Sequence, residues 1–385
     1  MFFYFNNDFK NKNKKCFYLK LQSDIIITIW RYNMTYKEIV EEKLEKLKTK
    51  KDIYILAFES SCDETSVAIV KNGREVIVNE IASQIDIHTR FGGVVPEVAS
   101  RNHILVIDNV LKTALTKANM TLKDIDAIAV TYGAGLAGAL MVGVNFAKSL
   151  AYSENLPLIA VNHIKGHISA NYIQDKELIP PFMCLVVSGG HTAILKVEDY
   201  VHHTLIGQTL DDAIGEAFDK VARVVGLGYP GGPKIDKQAK LGQNNIQFTH
   251  KSNLENSYDI SYSGIKTAVI NYVHKKEQNN EELNIPDICA SFQCQAVDML
   301  VDKVIDAAVH YNQDKIALAG GVAANSYLRN SITEKALAKG IKVYYPALVL
   351  CTDNAAMIGA CAYYDLKSGK PLADLSLSPC PSLKL

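Results

Sequence analysis

Two histidines four residues apart, in Asn162-His163-Ile-Lys-Gly-His167, are the clearest chemical signal in this chain. On a helix, positions i and i+4 share a face, so both imidazoles can reach one divalent cation. An H-x-x-x-H pair also arises readily by chance among ten histidines, and two packed histidines would look the same. Ile164 stands where a zinc peptidase carries its general-base glutamate, which argues against proteolysis. A third ligand is available in Cys351-Thr-Asp-Asn-Ala355, where Asp353 precedes an apolar helical run over residues 355–364. The competing use of that acid is N-capping. Two imidazoles and a carboxylate with open positions suit iron or zinc acting as a Lewis acid.

A second group of residues has phosphate and nucleoside chemistry. In Ser188-Gly-Gly-His-Thr192, two glycines between strands let backbone N–H groups converge on an anion without Cβ obstruction. Ala319-Gly-Gly-Val-Ala-Ala-Asn325 follows a buried strand and leads into a helix, a geometry suited to nucleoside contact. Between them, Asp219 lies in Gly215-Glu-Ala-Phe-Asp-Lys220 and Asp236 follows the Gly/Pro turn 226–233. Each can accept hydrogen bonds from ribose hydroxyls, or simply be a solvated or capping acid. Gly133-Ala-Gly-Leu-Ala-Gly138 superficially matches a dinucleotide fingerprint. Several elements precede it, however, so close helix packing is the expected use of its glycines.

The elements that must position these residues alternate in type. Strands are expected over 53–59, 65–71, 125–131, 182–188, 192–197 and 316–319, and helices over 35–50, 104–119, 137–154, 289–311 and 355–364. This is an α/β chain. Residues 57–70 and 184–197 both read as strand, small polar turn, threonine, strand, which suggests duplicated halves facing each other across a cleft. Asp63 and Glu64 sit at the first hairpin tip; one could carry a proton, but an exposed turn is the expected setting.

The 385 residues are 48% hydrophobic and 21% charged, enough apolar content for a two-domain or duplicated globular chain. Formal net charge is zero, so a nucleic-acid partner would need local patches such as Arg90, Arg101, Lys220, Arg223, Lys234, Lys237 and Lys240, or a second subunit. The eight cysteines form no C-x-x-C and read as reduced thiols. No apolar run reaches membrane-spanning length and no signal peptide is evident, so no membrane association and a cytoplasmic address are expected. Residues 1–51 carry 12 basic against 6 acidic residues, unlike the remainder, and the first 33 or so are expected to be a dispensable extension.

Taken in order, Glu59-Ser-Ser-Cys-Asp-Glu-Thr-Ser, Pro96-Glu-Val-Ala-Ser-Arg101, the Gly133, His163, Ser188 and Gly215 motifs, Tyr229-Pro-Gly-Gly-Pro233, Ser261-Tyr-Ser-Gly-Ile-Lys266, Gly320-Gly-Val-Ala-Ala-Asn325 and Cys351-Thr-Asp-Asn-Ala355 resemble the tRNA N6-adenosine threonylcarbamoyltransferase family. The family was formerly classed as O-sialoglycoprotein endopeptidases, and the resemblance covers residues 52–379. It implies an actin-like, Hsp70-like and sugar-kinase-like fold, with lobes at 52–180 and 181–350 around a nucleotide cleft and a helix in 351–385 returning toward the first lobe. It implies one divalent metal, Fe2+ or alternatively Zn2+, on His163, His167 and Asp353. It places threonylcarbamoyl-AMP, or ATP/ADP, against Val186, Val187, Ser188, Gly189, Gly190, Asp219, Gly232, Asp236 and Asn325. The implied reaction moves threonylcarbamoyl from its adenylate to N6 of the adenosine beside the anticodon, position 37, in tRNAs reading ANN codons, and releases AMP. Implied partners are tRNA, a paralogous TsaB-type subunit and a TsaE-type small ATPase, with a dimer possible. The rival readings are an ATP-dependent kinase or ATPase of the same fold, and a nucleotide-sensing scaffold.

Overall fold

The computed structural model describes residues 34–248, 254 and 257–385. The expected extension at residues 1–33 lies outside the described residues. Two compact units divide between Thr49 and Lys50. In the first, the helix Tyr36–Thr49 starts at Thr35, whose hydroxyl and backbone N–H both donate to the Glu38 carboxylate.

The unit Lys50–Leu385 holds two five-stranded sheets of identical plan. In the first, β1 (Tyr54–Glu59), β2 (Glu64–Lys71) and β3 (Glu75–Ser83) form an antiparallel meander, and β4 (Ala127–Gly133) and β5 (Leu158–Asn162) extend it in parallel on the other side of β1. In the second, β6 (Phe182–Val187), β7 (Thr192–Val197) and β8 (His203–Gln208) repeat the meander, with β9 (Lys315–Ala319) and β10 (Lys342–Tyr344) parallel beside β6. The two similar hairpins therefore occupy equivalent central places. Their strands are continuous apolar runs because both faces are covered, and parallel neighbours need helical crossovers to reach. Asn72 and Gly73, both at positive φ, make the tight turn from β2 to β3.

Outer helices Pro96–Ala118 and Ala137–Glu154 cover the first sheet, with Leu56, Phe58, Ile69 and Val144 in that core. Helices Ile214–Val224 and Ile285–His310 help to cover the second, where Phe218 and Phe292 meet edge to face. Each fully buried large apolar side chain of this kind contributes about 1.5–3 kcal/mol.

Two inner helices matter most for the site. The helix His163–Gln174 packs on β6 and β9 of the second sheet through Ile164, Ile168 and Tyr172. The helix Ala355–Lys367 packs on β1 and β2 of the first, and the two helices pack on each other. A Cβ at Gly359 would lie 2.7 Å from Val70, so only glycine lets this helix approach the sheet so closely. The inner pair is thus sandwiched between the sheets, and its N-terminal ends lie where the lobes meet. Arg74, from the β2–β3 turn, ties the far side: its guanidinium donates to the Tyr364 and Tyr200 hydroxyls and to the carbonyls of Tyr172, Asp175, Lys176 and Leu178.

Candidate active site

His163 is the first residue of its helix because Asn162 caps it, the Asn162 Oδ1 accepting from the N–H of Ile164 at 2.9 Å and of Lys165 at 3.3 Å. One turn later His167 presents its ring to the same point, 4.6 Å between centroids. Across the inner-helix pair, Asp353 completes the group. The helix Ala355–Lys367 is capped by Asn354, which accepts from the Met357 N–H at 3.0 Å, so Asp353 is not the cap and its carboxylate is free to face the imidazoles. Asp353 Oδ1 lies 3.5 Å from His163 Nε2 and 3.2 Å from His167 Nε2.

These three residues form the one group of three or more metal-type ligands found among the described residues, their donor atoms within 4.8 Å of one another. Both ring nitrogens of His167 are buried with no hydrogen-bond partner, although a carboxylate oxygen stands 3.2 Å from one of them. Two imidazoles and a carboxylate converging without hydrogen-bond geometry fit a shared divalent cation. The electrostatics agree. Burial pushes His163 toward its neutral form, but Asp353 and Glu59 hold it up to about 9. Burial opposes the charge of Asp353 too, and His163 with His167 keeps it below the ordinary carboxylate range.

Two cavities meet here. One, of about 730 Å³, is lined by the first hairpin tip (Ser61, Cys62, Asp63), by Ala134, Gly135 and Leu136, by His163 and Asp353, and by Ser188, Gly189, Gly190 and His191. The other, of about 560 Å³, is lined by Gly215, Phe218, Gly232, Asp236, Lys237, Lys240, Gly321 and Asn325. Gly189, Asp219 and Tyr229 line both, so the two spaces share a wall.

The second hairpin tip is a closed turn: Ser188 N–H donates to the His191 carbonyl at 2.8 Å, and His191 N–H to the Ser188 hydroxyl at 3.1 Å. Among the described residues nothing accepts from the N–H groups of Gly189 and Gly190, and a Cβ at either would meet open space. Val186 and Val187 are wholly buried strand residues that line neither cavity, so they support the turn from below. Asp219 accepts from the Gly231 N–H at 2.7 Å, and the Gly232 N–H also faces its carboxylate. Asp236 accepts from Ser326 Oγ at 2.8 Å and from Lys240 at 3.0 Å. Asn325 lines the second cavity, and its amide accepts from the Leu328 N–H as helix cap and donates to Gln293.

The expectation of an exposed first tip is overturned: Asp63 is 7% exposed and Glu64 8%. The tip is held inward by Leu136 N–H on the Ser61 carbonyl, by His103 on the Cys62 carbonyl and by Gln84 N–H on the Asp63 carbonyl. Glu64 is pushed up to about 10 by burial and by Asp353 and Asp63, and its carboxyl faces Ser83 rather than the cavity. Asp63 faces the cavity. The Gly133 segment serves close packing, as expected: a Cβ at Gly135 would lie 2.6 Å from the Ser61 carbonyl. Tyr229, Leu136 and Arg223 line the site without having been singled out for it; Arg223 reaches across to the Gly92 carbonyl at 2.7 Å. Of the other basic residues, Arg101, Lys220 and Lys240 pair with acids, Lys234 binds two carbonyls, Lys237 lines the second cavity with Lys240, and Arg90 lines neither.

A family model described as tRNA N6-adenosine threonylcarbamoyltransferase matches residues 75–360. A protein of that name from Clostridium novyi is 59% identical over 337 residues, covering 87% of this chain and 98% of its own length. One from Clostridium perfringens is 58% identical over 332 residues, covering 86% and 98%. Among solved structures, HypF of T. kodakarensis aligns with a TM-score of 0.58 at 15% identity, over 85% of this chain and 49% of that one. Full-length HypF in a phosphate- and nucleotide-bound form gives 0.57 at 16% identity, over 82% and 46%. At that identity the structures bear on fold alone, and the fold is the duplicated, two-lobed α/β architecture of the actin-like, Hsp70-like and sugar-kinase-like class.

Proposed function

The chain belongs to the tRNA N6-adenosine threonylcarbamoyltransferase family and is a transferase that modifies adenosine in tRNA, and we propose that its donor, threonylcarbamoyl-AMP, lies across the two joined cavities. The AMP occupies the cavity lined by Gly232, Asp236 and Lys237, and the carbamoyl group sits beside His163, His167 and Asp353. The observation that supports this reading is that Gly189, Asp219 and Tyr229 line both spaces, so the two are immediate neighbours beside the His/His/Asp group.

The carbonyl joined to AMP is already activated, so the protein's work is to orient it and to accept developing charge. N6 of the adenosine attacks the carbamoyl carbon, the bond to the phosphate oxygen breaks, and AMP leaves with that electron pair. The Gly189 and Gly190 N–H groups hold the phosphate as it gains charge. The proton leaving N6 passes to Asp63, which lines the cavity where Glu64 does not. His163, His167 and Asp353 would hold a divalent cation, which when bound would supply Lewis acidity; Fe2+ is proposed, with Zn2+ the alternative.

The acceptor is the adenosine beside the anticodon, position 37, in tRNAs reading ANN codons. With zero net charge, and with Arg101, Lys220 and Lys240 each paired with an acid, the chain is read as needing a paralogous TsaB-type subunit and a TsaE-type small ATPase to hold tRNA; self-dimerisation is the other arrangement. Among the described residues no helix is long and apolar enough to cross a membrane, and a tRNA substrate places the work in the cytoplasm. Purified protein, with the TsaB-type and TsaE-type partners added, given tRNA and synthetic threonylcarbamoyl-AMP should yield threonylcarbamoyladenosine and AMP. Nucleotide consumption without modified tRNA would favour the kinase reading, and neither product a nucleotide-sensing scaffold.

A further inference from the structure

We infer that Glu59 is a positioning residue for the metal site: it fixes His163 in the tautomer whose Nε2 is free to bind the cation. Glu59 closes β1, and its side chain has no exposure at all. A carboxylate in such a place is costly to bury unless it is paired and hydrogen-bonded. Its partners are specific. Oε1 accepts from the Ser61 N–H at 2.6 Å, and Oε2 accepts from the Thr131 hydroxyl and lies 3.2 Å from His163 Nδ1. Lys and Arg are absent from this set, and the one cationic group facing Glu59 is the imidazole.

The geometry selects the tautomer. His163 Nδ1 faces Glu59 and, also at 3.2 Å, the Ser61 hydroxyl, whereas Nε2 faces Asp353. An ionised carboxylate only accepts, so Glu59 keeps a proton on Nδ1, and the proton that a bound cation would displace is the one on Nε2, toward His167 and Asp353. A ligating histidine held from behind by a carboxylate is both oriented and made more basic. His167 has no such support, both its ring nitrogens being without a hydrogen-bond partner. His163 is therefore the ligand whose orientation the fold prescribes, through β1 and, by way of Thr131, through β4.

Glu59→Gln tests this with little change of shape. If the amide oxygen stays on the Ser61 N–H, the NH2 faces the His163 Nδ1 proton, donor against donor. Relief comes when the proton moves to Nε2 and the ligand is lost, with the Ser61 hydroxyl a weaker substitute acceptor. This inference rests on the reading that the trio holds a divalent cation, and the experiment separates the two. Metal-stripped wild type, His167→Ala and Glu59→Gln are titrated with Zn2+ against a chromophoric chelator, and each metal-free protein is melted. Wild type should bind one Zn2+ and His167→Ala should lose it. Glu59→Gln should bind about 10- to 100-fold more weakly, beyond any change in melting temperature. Unchanged Zn2+ affinity in Glu59→Gln overturns the inference while leaving the metal site standing; a wild type that binds no Zn2+ overturns both. Should Glu59→Gln fail to fold, long-range 1H–15N spectra of histidine-labelled, Zn2+-loaded wild type decide: Nδ1 protonated with Nε2 bound is expected, and the opposite tautomer refutes it.

Discussion

Gly215→Ala gives the sharpest test of how the phosphate turn is held. Gly215 is the second residue of the helix Ile214–Val224, and its N–H donates to the Ser188 carbonyl at 3.3 Å. A Cβ there would stand 2.7 Å from the Ser188 oxygen, 2.8 Å from Gly189 Cα and 3.0 Å from Gly189 N, where ordinary contact begins near 3.4 Å. The obstruction is all backbone, so no side chain can swing aside; the turn itself must move by about half an ångström or more. Overpacking of this kind costs about 1–3 kcal/mol, and a misplacement approaching about 1 Å at a reacting group can cost about 100-fold in rate. The expected outcome is a lower melting temperature, AMP affinity reduced about tenfold, equivalent to about 1.4 kcal/mol, and single-turnover transfer reduced further. Calorimetric AMP titration and single-turnover assay with threonylcarbamoyl-AMP read these directly. Gly189→Ala is the contrast: its Cβ meets open space, so stability should hold while AMP binding falls, because the methyl would enter the space proposed for the phosphate. A Gly215→Ala variant with native melting temperature and AMP affinity would refute the idea that close approach sets the turn.

Other perturbations reach different parts of the molecule. His163→Ala or His167→Ala should each abolish bound metal, read by elemental analysis, and leave the far-ultraviolet circular dichroism native. Arg74→Ala strands four carbonyls and two tyrosine hydroxyls and should cost about 3 kcal/mol or more in denaturant unfolding; Arg74→Lys should recover little, since an ammonium has three donors for six acceptors. Burial, with Lys165 and Lys370 nearby, holds His203 down to about 3. Below about pH 6.5 the unfolded chain therefore binds a proton that the folded chain refuses, and stability falls as pH drops from about 6.5 toward 3, by at most about 1.4 kcal/mol per unit for this group. In His203→Gln the melting temperature should depend less on pH across that window; an unchanged slope would contradict the assignment.

What could be read from sequence followed from periodicity and glycine. The helix Ala137–Glu154 and the strand Thr192–Val197 fall where expected, because long apolar periodicity and a Gly-Gly boundary are local signals. The helix expected from residue 104 starts instead at Pro96: Pro96 is its first residue, and the polar first turns hide the stripe. Strand β3 went unpredicted although Asn72-Gly73 marks its hairpin, because its alternation is half polar at a sheet edge. At the site, the three ligands and the glycine turn were legible because each carries its chemistry in its own residue type. Glu59, Tyr229 and the burial of Asp63 were not, since each acquires its meaning from neighbours distant in the chain.

The duplication bears on which way round the proposed substrate would lie. The tips after β1 and β6 occupy the same place in two sheets of one plan, yet they differ in what they offer an anion. At the first tip the Ser61 N–H is spent on Glu59, and the acidic side chain of Asp63 faces the space an anion would enter. At the second, the glycine N–H groups are unspent. On the proposed reading the adenylate phosphate lies on the second lobe and the carbamoyl carbon toward the first, where Asp63 would take the proton. Asp63→Asn separates the roles. As a proton acceptor its loss should lower single-turnover transfer about 100- to 10,000-fold and leave AMP affinity unchanged or slightly improved. A parallel loss of AMP affinity and rate would mean that the carboxylate merely holds the tip in place, and would remove the base from the mechanism.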